Sequence, residues 1–449
     1  MYGVRSATRL ALRRLQKPKG APPIDVAPLC LTSVPQSSPC SSPLSQPLSI
    51  VIPTRNAGPE IELLIRKLRA QEGVPQPEII LVDSGSTDET LAIARNQNVQ
   101  TRQLAPGTFT HSFSRNTGAE RARGKYLLFM VQDALPLTRH WLQELVTALE
   151  RNDLAAVSCA EYPRSDSDLF YQFLIHNQYE VPPLNQDRVM VWSASCSSYL
   201  GLRANAQLSD IAVLFRRDVF EHYRYRRDYA EDLDLGIRLI RDGHKLGFLY
   251  NTRVLHSHNR PAYYFLKRGY VDVRYLADVF PNFVYPEIEN SDRLYADICL
   301  LYNAIGKLAR NPLLTRVLGT ATRLIDSLRA CLTSAEDFRE TTALRCDPKL
   351  GEFLAPLCRM VARTDTPSSI QRSMLFPHVS DHIVRLETWL RGIYPNQDET
   401  LNGQIVAAVE KIFALHCGNH LAYLYLTRMK LGSLDDALAE MNQILVEGV

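Results

Sequence analysis

From Leu48 onward the chain alternates short apolar runs with stretches of helical spacing, and this alternation limits the fold more than any other feature. Leu48–Pro53 is one such run, ended by Pro53-Thr54-Arg55-Asn56; Ile61, Leu64, Ile65 and Leu68 then follow at helical spacing. Glu78–Asp83 is a second run, closed by Ser84-Gly85-Ser86, after which Thr87-Asp88-Glu89 opens a helix to about Asn96. Tyr126–Val131 is a third, ending at Gln132-Asp133; a helix over 138–151 and a strand at Ala155–Cys159 come next. Apolar runs of about 4–8 residues bounded by turn residues read as buried strands, and strands alternating with helices make βαβ units. The expectation is an α/β domain with a mostly parallel sheet flanked by helices. Ligands of such sheets sit beyond the carboxyl ends of the strands, where Asp83 and Asp133 lie.

Around this core the organisation is a tail, a catalytic-sized domain and a helical end. Residues 1–47 read as a basic, then Pro/Ser-rich, disordered tail: six basic groups and no acid occupy the first 24 positions. Its alternative is a short basic helix on an anionic membrane surface. Residues 48–275 form the α/β domain. Residues 276–449 read as α-helical, and Asn419–Gly432 with Leu434–Leu438 resembles one tetratricopeptide helix pair, which needs neighbours to bury its face. Tyr263–Leu266 and Tyr275-Leu276, interleaved with Lys267, Arg268 and Arg274, fit either an interfacial helix or one packed on the core. No apolar run approaches the ~18–20 residues that cross a bilayer. The 51 basic and 48 acidic residues leave a net charge of +3, too balanced to argue for nucleic acid. The nine cysteines include no Cys-x-x-Cys pair and read as reduced, buried thiols in a cytoplasmic protein.

The strand ends lack the glycine-rich turns of dinucleotide and NTP-cradling folds, and no Gly-x-Ser-x-Gly elbow is present. What they carry is acids, suited to hydrogen-bonding a nucleoside and to holding a hard cation against phosphates. Ile50–Asn56, Val82–Asp88, Arg115-Asn116-x-Gly118-Ala119, Phe129-x-x-Gln132-Asp133-x-x-Pro136, Glu231-Asp232 and His256-Ser257-His258 occur in that order. Together they resemble a family 2 glycosyltransferase of the A-type nucleotide-sugar fold, over about residues 48–275. Phe109-x-His111-x-x-x-Arg115-Asn116 and Gln132–Pro136 look most like the bacterial rhamnosyltransferase branch.

The resemblance implies roles residue by residue. Pro53, Arg55 and Asn56 occupy the loop that wraps the nucleoside, and Asp83, followed by Ser84, matches the acid that receives the base imide. Taken alone, Asp83 also fits a turn carboxylate and Asp88 a helix cap. His111, Arg115 and Asn116 are expected at the donor, with Arg115 forking onto a phosphate; a solvated surface Arg is the alternative. Asp133 matches the metal-holding acid of an Asp-x-Asp motif whose first acid is replaced by Val131, with Gln132 beside it as a hydrogen-bonding group. His256 matches the family's metal histidine, with His258 on the same strand face in a lesser role. Asp232 matches the general base and Asp234 is its control.

The combined expectation is an inverting, metal-dependent hexosyltransferase using Mn²⁺ or Mg²⁺. It moves a sugar, with L-rhamnose as leading choice, from a nucleotide-diphosphate donor to a glycan or lipid-linked acceptor in surface polysaccharide synthesis. Its setting is the cytoplasm or the inner face of the membrane. The alternative is a catalytically silent scaffold of the same fold, motivated by the missing first acid. A nucleotidyltransferase is disfavoured, because Pro53–Gly58 is not a basic glycine-rich loop.

Overall fold

The computed structural model describes residues 32–33, 45–179, 184–193, 196, 198–280, 282–309, 323–333, 347–361, 373–394 and 399–447. Ten strands form one sheet: β1 Thr32–Ser33, β2 Leu48–Thr54, β3 Glu78–Asp83, β4 Gln100–Gln103, β5 Tyr126–Met130, β6 Leu135–Pro136, β7 Ala156–Tyr162, β8 Arg188–Met190, β9 Ala212–Arg216 and β10 Leu246–Leu255. Their order is β1-β8-β10-β7-β9-β5-β2-β3-β4, with β6 paired to β10. The three apolar runs read first become β2, β3 and β5, buried on both faces and paired in parallel, with Thr54 opposite Asp83 and Val51 opposite Phe129. Strands covered by helices on both sides have no polar face, which is why these read as continuous apolar runs.

The sheet is mixed rather than mostly parallel. β9 enters antiparallel to both β5 and β7, at the centre of the sheet. Because β9 reverses direction between them, β5 and β7 run the same way, and β10 is parallel to β7. The carboxyl ends of β2, β3, β5, β7 and β10 therefore share one edge with the amino end of β9. That single topological fact brings Asp83, Gln132-Asp133, Glu161, Asp210 and His256 to one side of the molecule.

Of residues 1–47, only Thr32–Ser33 and 45–47 are among the described residues, so most of the tail reading lies outside them; Thr32–Ser33 pair antiparallel with Arg188–Val189. The boundary expected at 275/276 falls inside the helix Ala262–Val279. That helix packs into the helical region's core with Ser291–Leu308, Leu375–Ile393 and Glu399–Lys430, joined by Leu169, Phe170 and Phe173 of the helix Leu169–Tyr179. It is thus a packed helix and not an interfacial one. Its contact with Glu399–Lys430 is close: a Cβ at Gly269 would lie 2.2 Å from the Leu415 carbonyl oxygen, and one at Gly418 2.0 Å from that of Leu266. Helices Glu399–Lys430 and Asp436–Val446 follow one another in the chain, and both bury their faces against Ala262–Val279. The six described cysteines are buried and form no disulfide. No described helix is long and apolar enough to cross a membrane.

Candidate active site

β10 ends at Leu255, directly before the buried His256, and the loop after β5 carries Asp133. Asp133, His256 and His258 each bring a ligand atom within 4.8 Å of the others. His256 Nε2 lies 3.7 Å from one Asp133 oxygen and His258 Nδ1 3.5 Å from the other, with the two Nε2 atoms 3.2 Å apart. The sequence reading ranked His256 above His258; the fold sets both against Asp133. His256 Nδ1 faces the Glu161 carboxylate at 2.7 Å, and the Tyr171 hydroxyl donates to the same oxygen at 2.6 Å. Burial opposes a charge on His256, but Glu161 and then Asp133 outweigh it and move its pKa up. A carboxylate on one ring nitrogen fixes the tautomer and turns the other nitrogen's lone pair outward, the usual support of a metal-ligating imidazole. One carboxylate oxygen and two imidazoles suit Mn²⁺ better than Mg²⁺, which prefers oxygen. Arg164 braces the loop by donating to the Asp133 carbonyl at 2.9 Å while forking onto Glu60.

Glu231-Asp232 opens the helix Glu231–Arg241 from a left-handed Ala230 at φ 52°, a conformation that L side chains rarely adopt. The three acids of this first turn have different fates. Glu231 is buried and bonded to Arg115 at 2.6 Å. Asp234 is shared by Arg227 at 3.2 Å and Arg238 at 2.9 Å. Asp232 has no ion pair among the described residues and accepts only the Leu233 N–H, at 2.8 Å. Burial, then Asp210, then Glu231 push its pKa up to about 8. An unpaired carboxylate whose proton affinity lies near neutrality is suited to general-base work.

Two expectations for the donor side need correction. Arg115 is 1% exposed, and its guanidinium is committed to Glu231, to the Asp210 carbonyl at 3.2 Å and to the Tyr225 ring face at 5.6 Å. It does not reach a phosphate in the cleft. Asn116 is likewise held, its amide donating to the Tyr225 carbonyl at 2.9 Å and accepting from the Tyr225 N–H at 3.3 Å. Ser112 adds a hydroxyl bond to the Arg227 carbonyl. The helix His111–Ala119 thus clamps the segment that leads into Asp232, and Arg115 and Asn116 position that segment. The basic aromatic run Tyr223-Arg224-Tyr225-Arg226-Arg227 is also partly taken up by the fold: Tyr225 is buried against Phe129 and Phe220, and Arg224 pairs with Glu120. His111 alone of the three donor candidates on this helix stays exposed, on its first turn.

Asp83 is the second correction. It is fully buried and accepts from the Gly85 and Ser86 N–H groups at 3.0 Å each, from the Ser86 hydroxyl, and from Thr54 at 3.4 Å. These four donors occupy both oxygens, so Asp83 builds the turn and does not face a base. Ser84 is held over Thr54 by its N–H and hydroxyl. Asp88 caps the neighbouring helix starts, accepting from Gly58 at 2.8 Å and Thr90 at 3.1 Å. Pro53 lies within β2, and the loop proper starts at Arg55. Gln132 holds that loop by a reciprocal pair of bonds to the Arg55 backbone, at 2.8 and 3.2 Å. Asn56, at φ 50°, is fixed by Ser86 and Thr87. The Arg55 side chain is exposed and makes no ion pair among the described residues, so its charge is open to solvent.

Sequence reasoning missed Glu161, Tyr171, Arg164 and Asp210. Glu161 carried a signal, an acid at the carboxyl end of an apolar run like Asp133. Asp210 sits between the two halves of the site: its charge acts on Asp232 on one side and on His256 on the other. It precedes a strand whose central, antiparallel placement no local pattern announces.

Residues 49–224 match the family described as Glycosyl transferase family 2. An O-antigen chain rhamnosyltransferase of Salmonella anatum is 26% identical over 216 residues, and one of Salmonella typhimurium is 26% identical over the same length. Each match takes in 47% of this chain and 66% of the relative, so the chain spans just under two thirds of these curated relatives. Among solved structures, a mannosyltransferase of Pyrobaculum calidifontis in complex with GDP-Man and Mn²⁺ is 15% identical, with a TM-score of 0.44 and coverage of 84% of this chain and 88% of that one.

Proposed function

With a family 2 glycosyltransferase domain in residues 49–224 as the premise, we propose that this chain transfers a sugar from a nucleotide-diphosphate donor to a glycan or lipid-linked acceptor, with inversion, in surface polysaccharide synthesis. The observation that carries the proposal is the meeting of Asp133, His256 and His258 at the sheet edge, with the unpaired Asp232 linked to them through Asp210, whose charge acts on both Asp232 and His256. The rhamnosyltransferases among the relatives support rhamnose as the sugar; in this reading it is L-rhamnose carried on deoxythymidine or uridine diphosphate.

Each residue has a task in this reading. The loop Arg55–Asn56, held in place by Gln132 and by the turn around Asp83 and Ser84, lines the donor's nucleoside. Arg55 supplies a cation to the donor phosphates, the task first assigned to Arg115. Asp133, His256 and His258 would hold Mn²⁺, with Mg²⁺ as the weaker fit, and Glu161 orients His256 for it. What a bound divalent ion supplies is neutralisation of the charge that develops on the leaving diphosphate. Asp232 accepts the proton of the acceptor hydroxyl as that oxygen attacks the anomeric carbon from the face opposite the diphosphate. Direct displacement needs no covalent intermediate. Arg115 and Asn116 hold the Asp232 segment in register, and Asp234, neutralised by two arginines, takes no part.

The test is a panel of nucleotide sugars scored by thermal stabilisation with and without Mn²⁺. A ligand at ~100 times its dissociation constant adds about 2.7 kcal/mol. The expected result is stabilisation by a deoxythymidine- or uridine-linked sugar that depends on Mn²⁺. Absence of stabilisation by every donor would contradict the proposal and favour a silent scaffold.

A further inference from the structure

The helix Ala262–Val279 packs one face into the helical core, with Phe265, Leu266, Gly269 and Tyr270 buried. Away from that face it carries a row at a spacing of four: Arg260 just before the first turn, then Tyr264, Arg268 and Asp272. Residues four apart lie one above the other on a helix. The Arg260 guanidinium stands 5.4 Å from the Tyr264 ring centroid. Arg268 Nε pairs with Asp272 at 3.1 Å, and its guanidinium lies over the Tyr229 ring at 5.2 Å. Tyr229 is itself stacked on Tyr275, with centroids 4.8 Å apart, and donates its hydroxyl to Asp272.

The row runs between the two halves of the site. At one end is the metal triad: Arg260 follows His258 by two residues and donates its N–H to the His258 carbonyl at 3.1 Å. At the other end is the base: Tyr229, under Arg268, comes three residues before Asp232. Asp210, whose charge acts on Asp232 and His256, acts on Arg268 as well, and the Arg268 charge acts on His111. Eight positions at about 1.5 Å each set the two arginines roughly 12 Å apart along the helix.

Arg268 is arranged to receive an oxyanion. Asp272 engages only Nε; the two Nη groups have no hydrogen-bond partner among the described residues, and the side chain is 46% exposed. That leaves a fork of N–H donors that matches two oxygens of a phosphate. Asp272 and the Tyr229 face fix the direction of the guanidinium, so little ordering is left to be done on binding. The Tyr264 hydroxyl, one turn away, is without a hydrogen-bond partner among the described residues and is a further donor. A nucleotide diphosphate held by the metal triad does not reach this end, because its two phosphates share a bridging oxygen and stay together at the ion. The acceptor places its reacting hydroxyl at Asp232, so a group that meets Arg268 belongs to the acceptor.

Resting on the transferase reading above, we propose that Arg268, assisted by Tyr264, binds a phosphate carried by the acceptor and thereby selects phosphate-linked acceptors over neutral glycans.

Full-length protein is saturated with Mn²⁺ and with deoxythymidine or uridine diphosphate, which fills the donor side, and is then titrated by calorimetry with geranyl diphosphate, an organic phosphate, or with inorganic phosphate. The expected result is one further geranyl diphosphate per chain, bound more tightly than inorganic phosphate. Arg268→Gln weakens it by about tenfold or more, Arg268→Lys recovers part of the loss, and nucleotide affinity is the same in all three proteins. Asp272→Asn breaks the same ion pair but keeps the guanidinium, so it retains the second diphosphate; an equal loss in Asp272→Asn and Arg268→Gln would mean a structural role and overturn the inference. Nucleotide binding without a second diphosphate, or a second diphosphate indifferent to Arg268→Gln, overturns it while leaving the transferase reading intact. An Arg268 effect confined to inorganic phosphate makes the site one for a free anion and removes the acceptor. Failure of wild type to bind either nucleotide diphosphate defeats the transferase reading and this inference with it.

Discussion

Replacing Arg115 with Ala separates two roles for this residue: a donor ligand, as its motif implies, or a buried strut beneath the base, as its surroundings imply. The Arg115 side chain is 1% exposed and that of Glu231 7%, with 2.6 Å between the charged atoms. Removing one partner of a buried pair leaves the other charge uncompensated and costs ~3–5 kcal/mol. At ~2–4 °C per kcal/mol, the scale for domains of about 150–250 residues, the midpoint falls by roughly 6–20 °C. The Glu231-Asp232 turn also loses its anchor, so kcat drops while the donor KM stays within a few-fold of wild type. Arg115→Met combined with Glu231→Leu recovers most of the lost stability, because neither charge is then stranded. Thermal unfolding and donor saturation kinetics read both effects. An unchanged midpoint with a donor KM raised tenfold or more would refute the strut and restore the phosphate contact.

Asp232 makes stability and rate respond to pH in opposite directions. Its folded pKa of about 8 stands above the ordinary carboxylate value of 3.8, so between those values the folded state holds the extra proton and stability falls as pH rises. Asp232→Asn should therefore gain midpoint relative to wild type at pH 8–9 and not at pH 4–5, while kcat/KM of the wild type climbs with an ascending limb near pH 8; a limb near pH 4 would contradict the assignment. Glu161→Gln should weaken Mn²⁺ binding ~10–100-fold, measured by calorimetry, through its hold on His256; unchanged affinity would remove His256 from the ligand set. Gly418→Ala puts a methyl against the Leu266 backbone, an overpacking that costs ~1–3 kcal/mol, and a midpoint equal to wild type would show that the two helices separate freely.

How far the sequence could be read differs by element. β2, β3 and β5 were legible because strands buried on both faces leave unbroken apolar runs ended by turn residues. β9 was not: parallel and antiparallel central strands share the same apolar pattern, and its partners lie more than 50 residues away in sequence. The sheet edge carrying Asp133 and His256 followed from strand ends alone, whereas Glu161 needed the β7–β10 pairing to place it under His256. Arg115 shows the limit of motif reading. A motif keeps an arginine at a position without saying whether the guanidinium faces a ligand or a buried carboxylate, and Glu231, its partner, lies 116 residues on. Asp83 is similar: its two readings, turn carboxylate or base contact, differ only in which way its oxygens point. His378 and His382, and His416 and His420, are each four apart in the sequence, but their meeting as the pairs His378–His420 and His382–His416 depends on how two helices pack.

The central claim is a single displacement at the anomeric carbon with Asp232 as base, and the stereochemistry of the product tests it most directly. Purified protein is supplied with Mn²⁺, a deoxythymidine diphosphate-linked L-rhamnose of known anomeric configuration and a glycan acceptor, and the glycosidic bond formed is assigned by its one-bond C–H coupling. The account predicts a product of inverted configuration, formed ~10²–10⁴-fold more slowly by Asp232→Asn and near the wild-type rate by Asp234→Asn. A product of retained configuration, or transfer by Asp232→Asn at more than about a tenth of the wild-type rate, would contradict it.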